Sequence, residues 1–187
     1  MSSEHYMDPR TRRTRAALGR AMAQLVVEAP LAQVSVAGLC RAAGVHRTTF
    51  YKHFRTVTEL AGAVLGELFD RIDELEAGGD STVWLEGLLA HAAGQRPAYA
   101  ALIGPDGDPT LSRAVTDRLI EAAGRTLLPL QNDGTVLGTE TATVARVMGF
   151  AAYGALEAVL LGADPQVTAR ACVGGLPVPW YEALVVA

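Results

Sequence analysis

The sequence predicts an all-α protein in which an N-terminal three-helix helix-turn-helix domain is joined by a connector helix to a larger helical C-terminal domain. Apolar residues recur at intervals of three and four along most of the chain, which is the period of a helix buried on one side. A glycine separates two short amphipathic segments near residue 44, and Gly or Pro residues bound most of the longer segments. We place the first domain at residues 8–55 and the second at residues 56–187, with the connector at 56–76.

The acidic net charge of −4 conceals a basic N-terminal part. Residues 1–58 contain nine Arg and Lys residues against three Asp and Glu residues, a balance of +6. The rest of the chain has seven basic and 17 acidic residues, a balance of −10. This distribution suits a protein that binds nucleic acid through its N-terminal domain alone.

The first helix is predicted over residues 8–29. Asp8 can cap its N-terminus, and Pro9 occupies the first helical position. Its apolar residues follow one face, which we expect to pack across the helix-turn-helix: Leu18, Met22, Leu25 and Val26. The arginines of segment 10–15 form either a solvated basic turn or an arm that contacts a nucleic-acid backbone, and the charge of the domain favours the arm.

Residues 35–54 predict two short helices separated by Gly44. Ser35 can cap the first helix, and Gly44 can adopt the left-handed conformation that a sharp turn requires. In the second helix, Phe50 and Phe54 share the face that should be buried. The remaining positions carry hydroxyls, cations and imidazoles, which suit phosphates and base edges. We expect DNA binding at Ser35, His46, Arg47, Thr48, Thr49, Tyr51, Lys52 and His53.

The turn and the second helix resemble the signature of the TetR family of bacterial transcriptional repressors. The resemblance rests on Ala43-Gly44-Val45 followed by Thr49-Phe50-Tyr51-Lys52-His53-Phe54, and it covers roughly residues 10–60. It implies a homodimer that binds double-stranded operator DNA and responds to a small molecule. One departure is Val57, where the family commonly has a lysine, so a phosphate contact that the family often makes is missing here.

The connector is predicted as one continuous helix from residue 56 to 76. Thr56 and Glu59 have the spacing of a capping box, and the apolar residues that follow keep the helical period: Leu60, Val64, Leu68 and Ile72. Such a helix would pass a movement of the C-terminal domain to the DNA-binding domain.

A helix predicted at 139–162 has two distinct faces. One is a stripe of small residues that would let another helix approach closely: Ala151, Gly154, Ala155, Ala158 and Gly162. The stripe suits either a dimer interface or close packing inside one subunit, and the family resemblance favours the dimer interface. The other face carries Phe150 and Tyr153 between Arg146 and Glu157.

The C-terminal domain is predicted to bind a small, largely apolar ligand. Its candidate pocket residues are aromatic or polar side chains on helices that also carry core leucines: Trp84, Leu88, His91, Tyr99, Phe150 and Tyr153. Core packing is the alternative role for each of them.

Other functional classes lack their sequence signals. The four histidines and the two cysteines, Cys40 and Cys172, do not have metal-ligand spacing, and no phosphate loop or nucleophile elbow is found. We therefore predict no metal, no cofactor and no catalytic site. The longest strongly apolar run, Val147 to Leu156, is shorter than the about 20 residues that span a bilayer. The N-terminus carries arginines instead of a signal-peptide core, so a cytoplasmic location without a membrane partner is expected.

The predicted function is a sequence-specific DNA-binding transcriptional regulator, a homodimeric repressor that a ligand releases from its operator. One alternative is a DNA-binding adaptor or architectural protein without a ligand response. Another is a small helical enzyme, which the missing catalytic residues disfavour. A closed apolar cavity in the C-terminal domain would favour the sensor over the adaptor.

Overall fold

A computed structural model describes residues 8–74, 80–132 and 141–175, and the side chains of 128–132 are outside that description. Within these ranges the regular elements are ten α-helices and one short 3₁₀ turn, which confirms the predicted all-α class. The chain divides into two compact units, one that ends at Leu65 and one that begins at Gly66. We call the first unit the head and the second the body.

The head contains four α-helices in chain order with the 3₁₀ turn Leu31–Gln33 after the first: α1 (Pro9–Glu28), α2 (Val36–Ala43), α3 (Arg47–His53) and α4 (Val57–Val64). Helix α1 packs against α2 and α4, and α2 packs against α3. Their shared core consists of fully buried side chains: Leu18, Met22, Leu39, Phe50 and Leu60. The side chains of Asp8, Ser35 and Thr56 cap α1, α2 and α4 by accepting backbone N–H groups.

The turn between α2 and α3 is built on Gly44, whose φ is 66°. The N–H of Gly44 donates to the carbonyl of Arg41 at 3.3 Å, and the N–H of Val45 donates to the carbonyl of Cys40 at 2.9 Å. These bonds satisfy carbonyls that the end of α2 would otherwise leave free. A residue with a side chain would be strained in this left-handed conformation, so glycine fixes the turn that orients α3.

The predicted connector at 56–76 is not one helix. Helix α4 ends at Val64, and α5 begins at Gly66, with Leu65 between them in a turn conformation (φ −77°, ψ 0°). Leu65 is fully buried, and the nearby Gly62 and Gly66 have low helix propensity. The connecting segment is therefore divided at Leu65, and α4 belongs to the head.

The body consists of six helices: α5 (Gly66–Asp73), α6 (Ser81–Gly94), α7 (Arg96–Ile103), α8 (Pro109–Asn132), α9 (Thr141–Leu160) and α10 (Pro165–Gly174). Helices α8 and α9 pack along each other, with α6, α7 and α10 against α9, and α5 against α6 and α8. A Cβ built on Gly149 of α9 would lie 2.8 Å from the backbone of Ile120 in α8. Real Cβ contacts are essentially never that short, so only glycine permits this approach of the two helices.

Helix α9 is long and apolar enough to cross a membrane, judged by length and composition alone. It is also the central helix of the body, and its inward face is buried against α8, α6, α7 and α10. A core helix with these neighbours passes the same composition test, because burial in protein and burial in lipid select the same residues. The helix ends at Leu160, two residues before the predicted end, because Gly162 has a φ of 116°, and the predicted start at 139 lies outside the described residues.

Candidate nucleic-acid interface and internal cavity

Helix α3 has a buried side and a polar side. Phe50 and Phe54 are almost completely buried in the head core. The opposite side is exposed and carries Arg47, Thr48, Tyr51 and Lys52, preceded by the exposed His46, with Thr49 and His53 half-buried at its edges. Tyr51 is 53 % exposed, which is unusual for a large aromatic side chain without a partner. We call these exposed residues from His46 to Lys52 the outer face of α3.

Ser35 has a structural role as well as a predicted binding role. Its Oγ accepts the backbone N–H of Gly38 at 3.1 Å and so caps α2. A hydroxyl that accepts one hydrogen bond still has its own proton to donate. Ser35 is exposed, so that proton is available to an acceptor such as a phosphate oxygen.

The arginines of the head divide into two groups. Arg12, Arg13, Arg20 and Arg41 are exposed, and within the described residues no carboxylate pairs with a head arginine, since every ion pair lies in the body. Arg15 differs, because its guanidinium lies 4.8 Å from the centroid of the Phe54 ring. This cation–π contact ties α1 to the end of α3. The predicted basic arm 10–15 therefore includes one residue with a packing role.

The six residues predicted to line a ligand pocket do not form one site. Leu88 and Tyr99 are completely buried, and the Tyr99 hydroxyl lies 3.1 Å from Nε2 of His91. Burial, together with the negative charge of Glu67, raises the pKa of Tyr99 to about 12. His91 and Tyr99 therefore form a hydrogen-bonded pair between α6 and α7.

The two aromatic residues of α9 also lie apart from any enclosed pocket. Tyr153 donates its hydroxyl proton to the carbonyl of Ile103 at 2.6 Å and borders an open cleft beside Gly104. Phe150 is 49 % exposed and faces solvent. Phe150 and Tyr153 therefore do not share a cavity with the other four residues, because their positions on the helix direct them outward and toward α7, and their role in ligand binding stays a prediction.

A small, partly open cavity of about 50 Å³ lies among α6, α8, α9 and α10. Of the predicted residues, Trp84 alone borders it. Most of its wall is apolar: Leu85, Leu119, Ala123, Met148, Ala151, Ala152 and Val173. The indole N–H of Trp84 donates to the backbone carbonyl of Arg71, in the last turn of α5, at 3.0 Å. Trp84, which borders the cavity, is therefore hydrogen-bonded directly to α5.

Three weakly polar groups complete the wall: Ser81, Thr126 and Cys172. Thr126 donates its hydroxyl to the carbonyl of Ala122 at 3.2 Å, and burial raises the pKa of the Cys172 thiol, which stays neutral. Ser81 is 8 % exposed, and its Oγ has no hydrogen-bond partner among the described residues. The neighbouring Asp80 already caps α6, so the Ser81 hydroxyl is not needed for capping.

Sequence reasoning missed Ser81, Thr126 and Cys172. One signal was present for Ser81, since it directly follows a residue that caps the helix by itself. No local signal marks Thr126 or Cys172, because their position at the cavity depends on how α8 and α10 pack.

The five small residues of the predicted stripe on α9 do not all lie on one surface. Ala155 is buried in the body, Ala151 borders the cavity, and Gly162 ends the helix. The prediction that all five residues form one interface is therefore wrong for Ala155, whose side is turned into the core. Gly154 is exposed and Ala158 is half-buried, beside three exposed apolar side chains. We call this surface the outer face of α9: Val147, Phe150, Gly154, Ala158 and Leu161.

No cluster of three or more His, Cys, Asp or Glu residues that could hold a metal ion occurs in the described part of the chain.

The chain is similar in fold to solved structures of transcriptional regulators. NalD of Pseudomonas aeruginosa, the secondary repressor of the MexAB-OprM multidrug efflux pump, shares 19% sequence identity over 95% of this chain and 98% of its own, with a TM-score of 0.66. A TetR-family regulator from Streptomyces coelicolor shares 20% identity over 92% and 80%, with a TM-score of 0.57. RolR, solved with its ligand resorcinol, shares 20% identity over 94% and 93%, with a TM-score of 0.53.

No protein-family model and no curated protein sequence matches this chain. At these identities the structural similarity establishes the fold, which is the fold of TetR-type regulators, as the sequence resemblance predicted.

Proposed function

We propose that this protein is a TetR-family transcriptional regulator, a homodimeric repressor that binds operator DNA and is released from it by a small, largely apolar ligand. The observation that carries the proposal is the outer face of α3, where Arg47, Thr48, Tyr51 and Lys52 are all exposed above the buried Phe50. The fold shared with NalD, a repressor, and with RolR, which binds resorcinol, supports it.

The outer face of α3 has the chemistry of a major-groove reader. Arg47 and Lys52 can neutralise phosphates, and the hydroxyls of Thr48 and Tyr51 can bond phosphate oxygens or base edges. Thr48 also offers a methyl group to a thymine methyl. The exposed arginines of α1 and α2 add a positive surface in the same unit, which raises affinity for DNA of any sequence.

The outer face of α9 is the proposed dimer interface. Phe150, Val147 and Leu161 expose apolar surface side by side, and Gly154 leaves room for a second helix to approach. A two-fold dimer would present two copies of α3 to half-sites roughly 34 Å apart, one turn of DNA, on a near-palindromic operator. We place this activity in the cytoplasm, and we propose neither a cofactor nor a membrane partner.

The first experiment identifies the DNA sequence that the protein binds and then tests whether the outer face of α3 contacts it. Purified protein selects bound duplexes from a random library, and binding to the selected sequence is measured as a function of salt. Lys52→Ala should reduce the slope of log K against log salt by about one unit, because one phosphate contact is lost. Tyr51→Ala should weaken binding to the selected sequence by about 1 kcal/mol, as the loss of one hydrogen bond does.

Arg113→Ala is the matched control, because Arg113 is an exposed cation of the body that pairs with Asp117. It should leave the salt slope unchanged. A reduced slope in Arg113→Ala together with an unchanged slope in Lys52→Ala would place the DNA on the body and refute the proposal.

A DNA-binding adaptor without a ligand response is the second candidate, and the size of the cavity favours it. The volume of the cavity beside Trp84, about 50 Å³, is far below the about 300–1,000 Å³ of typical ligand pockets. The two candidates are separated by a compound library, in which a sensor gives compounds that both raise the melting temperature and release the selected DNA. An adaptor gives stabilising compounds that leave DNA affinity unchanged.

A further inference from the structure

We infer that two charged side chains of α9 select the partner in the proposed dimer, because Arg146 of each protomer pairs with the partner's Glu157. The two ion pairs favour a second copy of this chain over a related chain of the same fold. The pairing rests on the proposed function, which supplies the homodimer, and it adds the side chains that decide which partner is accepted.

Four side chains follow one line along α9: Arg146, Phe150, Tyr153 and Glu157. They are spaced by four, three and four residues, so they lie on one side of the helix. Arg146 and Phe150 are exposed, and Tyr153 and Glu157 are half-buried. We call this line the charged-aromatic stripe. It shares Phe150 with the outer face of α9 and runs along the edge of that face.

The charged-aromatic stripe is complementary to itself when a second copy is turned end to end. Read in reverse, the spacing is again four, three and four residues, but a carboxylate stands in the place of the cation. Two antiparallel α9 helices that cross midway between Phe150 and Tyr153 therefore place ring against ring and cation against carboxylate. A two-fold interface requires such self-complementarity, because the same surface serves both partners.

The charges at the two ends are free to pair with another chain. Neither Arg146 nor Glu157 belongs to an ion pair within the described part of the chain. Glu157 borders the open cleft beside Gly104, which has a volume of about 360 Å³. The cation that borders the same cleft, Arg113, is already held by Asp117 at 2.9 Å. The carboxylate of Glu157 is therefore left for a cation from outside the chain, and the cleft has room for a guanidinium group.

The two aromatic rings supply the contact between the charged ends. Phe150 is 49 % exposed, and no aromatic ring among the described residues packs on it. Tyr153 is held in place because its hydroxyl donates to the carbonyl of Ile103 at 2.6 Å. Its ring is thereby fixed as a surface for the partner's Phe150. These ring contacts stabilise a dimer, whereas the charges discriminate between partners.

The distance between the charged ends makes the two ion pairs independent. Arg146 and Glu157 are eleven residues apart, or about 16 Å along the helix axis. Solvent and salt screen their attraction at that distance within one protomer, so each charge gains its partner only across the interface. The two-fold axis produces every pair twice. One reversed charge therefore turns two attractions into two repulsions.

Charge reversal tests the two ion pairs. Arg146→Glu and Glu157→Arg should each weaken the dimer by about 10-fold or more in Kd, since two attractions become repulsions. The double variant Arg146→Glu/Glu157→Arg restores both pairs with the signs exchanged and should dimerise within about 3-fold of the wild type. Sedimentation equilibrium measures the constants. Glu157→Gln adds no cation beside Arg113, so it serves if Glu157→Arg fails to fold, and it should weaken the dimer by about 3-fold.

A mixture of the two single variants tests whether the ion pairs run between chains. Arg146→Glu has a carboxylate at both ends of its stripe and Glu157→Arg has a guanidinium at both ends, so only the mixed dimer regains the pairs. The variants differ in mass, and native mass spectrometry should show mixed dimers in about 10-fold excess over either homodimer. The matched control is Arg71 with Glu74, an ion pair within α5. Arg71→Glu and Glu74→Arg should mix at random.

The selection of an identical partner is tested by mixing the double variant with isotope-labelled wild type. Each should form its own homodimer, and mixed dimers should be depleted by about 10-fold, because mixing opposes cation to cation and carboxylate to carboxylate. The control double variant Arg71→Glu/Glu74→Arg should exchange freely with the wild type.

Three outcomes contradict the pairing in different ways. If the wild type dimerises but the single variants associate equally well and mix at random, partner selection is refuted while the proposed homodimer is retained. If the single variants are weakened but their mixture is not restored, the two charges act within one chain and partner selection is again refuted. If the wild type is monomeric even at the highest concentration of the sedimentation run, the homodimer of the proposed function is refuted together with the pairing.

Discussion

The head and the body keep their polar chemistry in opposite places. In the head, the cations and hydroxyls of α3 face solvent above the buried Phe50, whereas in the body Ser81 and Cys172 border a small and almost entirely apolar cavity. The difference follows from the size of the proposed partners. DNA is larger than the head and has to be met on a surface, while a small molecule must be surrounded to lose most of its contact with water. One helix can supply the first kind of site, but the second takes walls from four helices.

The outer face of α9 differs from the rest of this comparison, because it is an apolar surface of the body that is exposed. A substitution there should have the largest effect of those proposed. Phe150→Glu should dissociate the proposed dimer, because a buried interface anchor is typically worth 2 kcal/mol or more, about 30-fold in Kd for each copy. Sedimentation equilibrium measures the change. Val83→Glu, at an exposed apolar position on α6, is the control and should leave association intact. If Phe150→Glu, Val83→Glu and the wild type all associate equally, the outer face of α9 is not the dimer interface.

Burial of Tyr99 inside the body should make the free energy of unfolding depend on pH. The pKa of Tyr99 is raised to about 12 by burial, with the charge of Glu67 adding to it, so the folded state keeps this proton after the unfolded chain releases it near pH 10. The free energy of unfolding should be highest below pH 10 and fall by about 2–3 kcal/mol as pH rises to 12. Tyr99→Phe should remove this part of the pH profile in denaturant titrations, whereas Tyr51→Phe in the head should retain it.

The contact of α8 with α9 offers a test of how closely the body is packed. Gly149→Ala should lower the free energy of unfolding by about 1–3 kcal/mol, because its Cβ meets the backbone of Ile120. Gly87→Ala on α6 is the control, since nothing lies within 4 Å of a Cβ there. It should raise stability by up to about 1 kcal/mol through helix propensity. Stabilisation by both changes would show that α8 and α9 can separate without cost.

The smallest expected effect concerns Arg15, a cation of the head that packs on Phe54 and does not simply face solvent. Arg15→Met should destabilise the head by about 0.5–1 kcal/mol, since it removes the cation over Phe54 but keeps an apolar stem. Arg12→Met should leave stability unchanged and weaken DNA binding. Thermal melts and binding titrations of both variants separate the two roles, and identical behaviour would mean that Arg15 is an ordinary surface cation.

The head was predictable because its determinants are local. The caps at Asp8, Ser35 and Thr56 each act within three residues along the chain, and Gly44 fixes its own turn. The buried side of α3 follows from the spacing of Phe50 and Phe54 alone. The division at Leu65 was missed, since one residue outside the helix leaves the apolar period around it intact.

The body was less predictable because its site depends on packing between distant segments. Trp84 was among the residues predicted to line a pocket and borders the cavity, but Ser81 and Cys172 come together only when α10 packs against α6. The stripe of small residues on α9 was predicted to let another helix approach closely. The approach occurs at Gly149, outside the predicted stripe, since periodicity gives the faces of a helix and not the neighbour of each face.

The division at Leu65 makes the protein suitable for recombination between relatives. Each unit is compact by itself, and the chain passes from one to the other at Leu65, the buried residue that follows α4. A crossover after Leu65 would exchange one proposed DNA-binding unit for another at the boundary between the two compact units. Under the proposed function, gene fusion at this codon would join an existing operator specificity to an existing ligand specificity in one step, without point mutation in either unit.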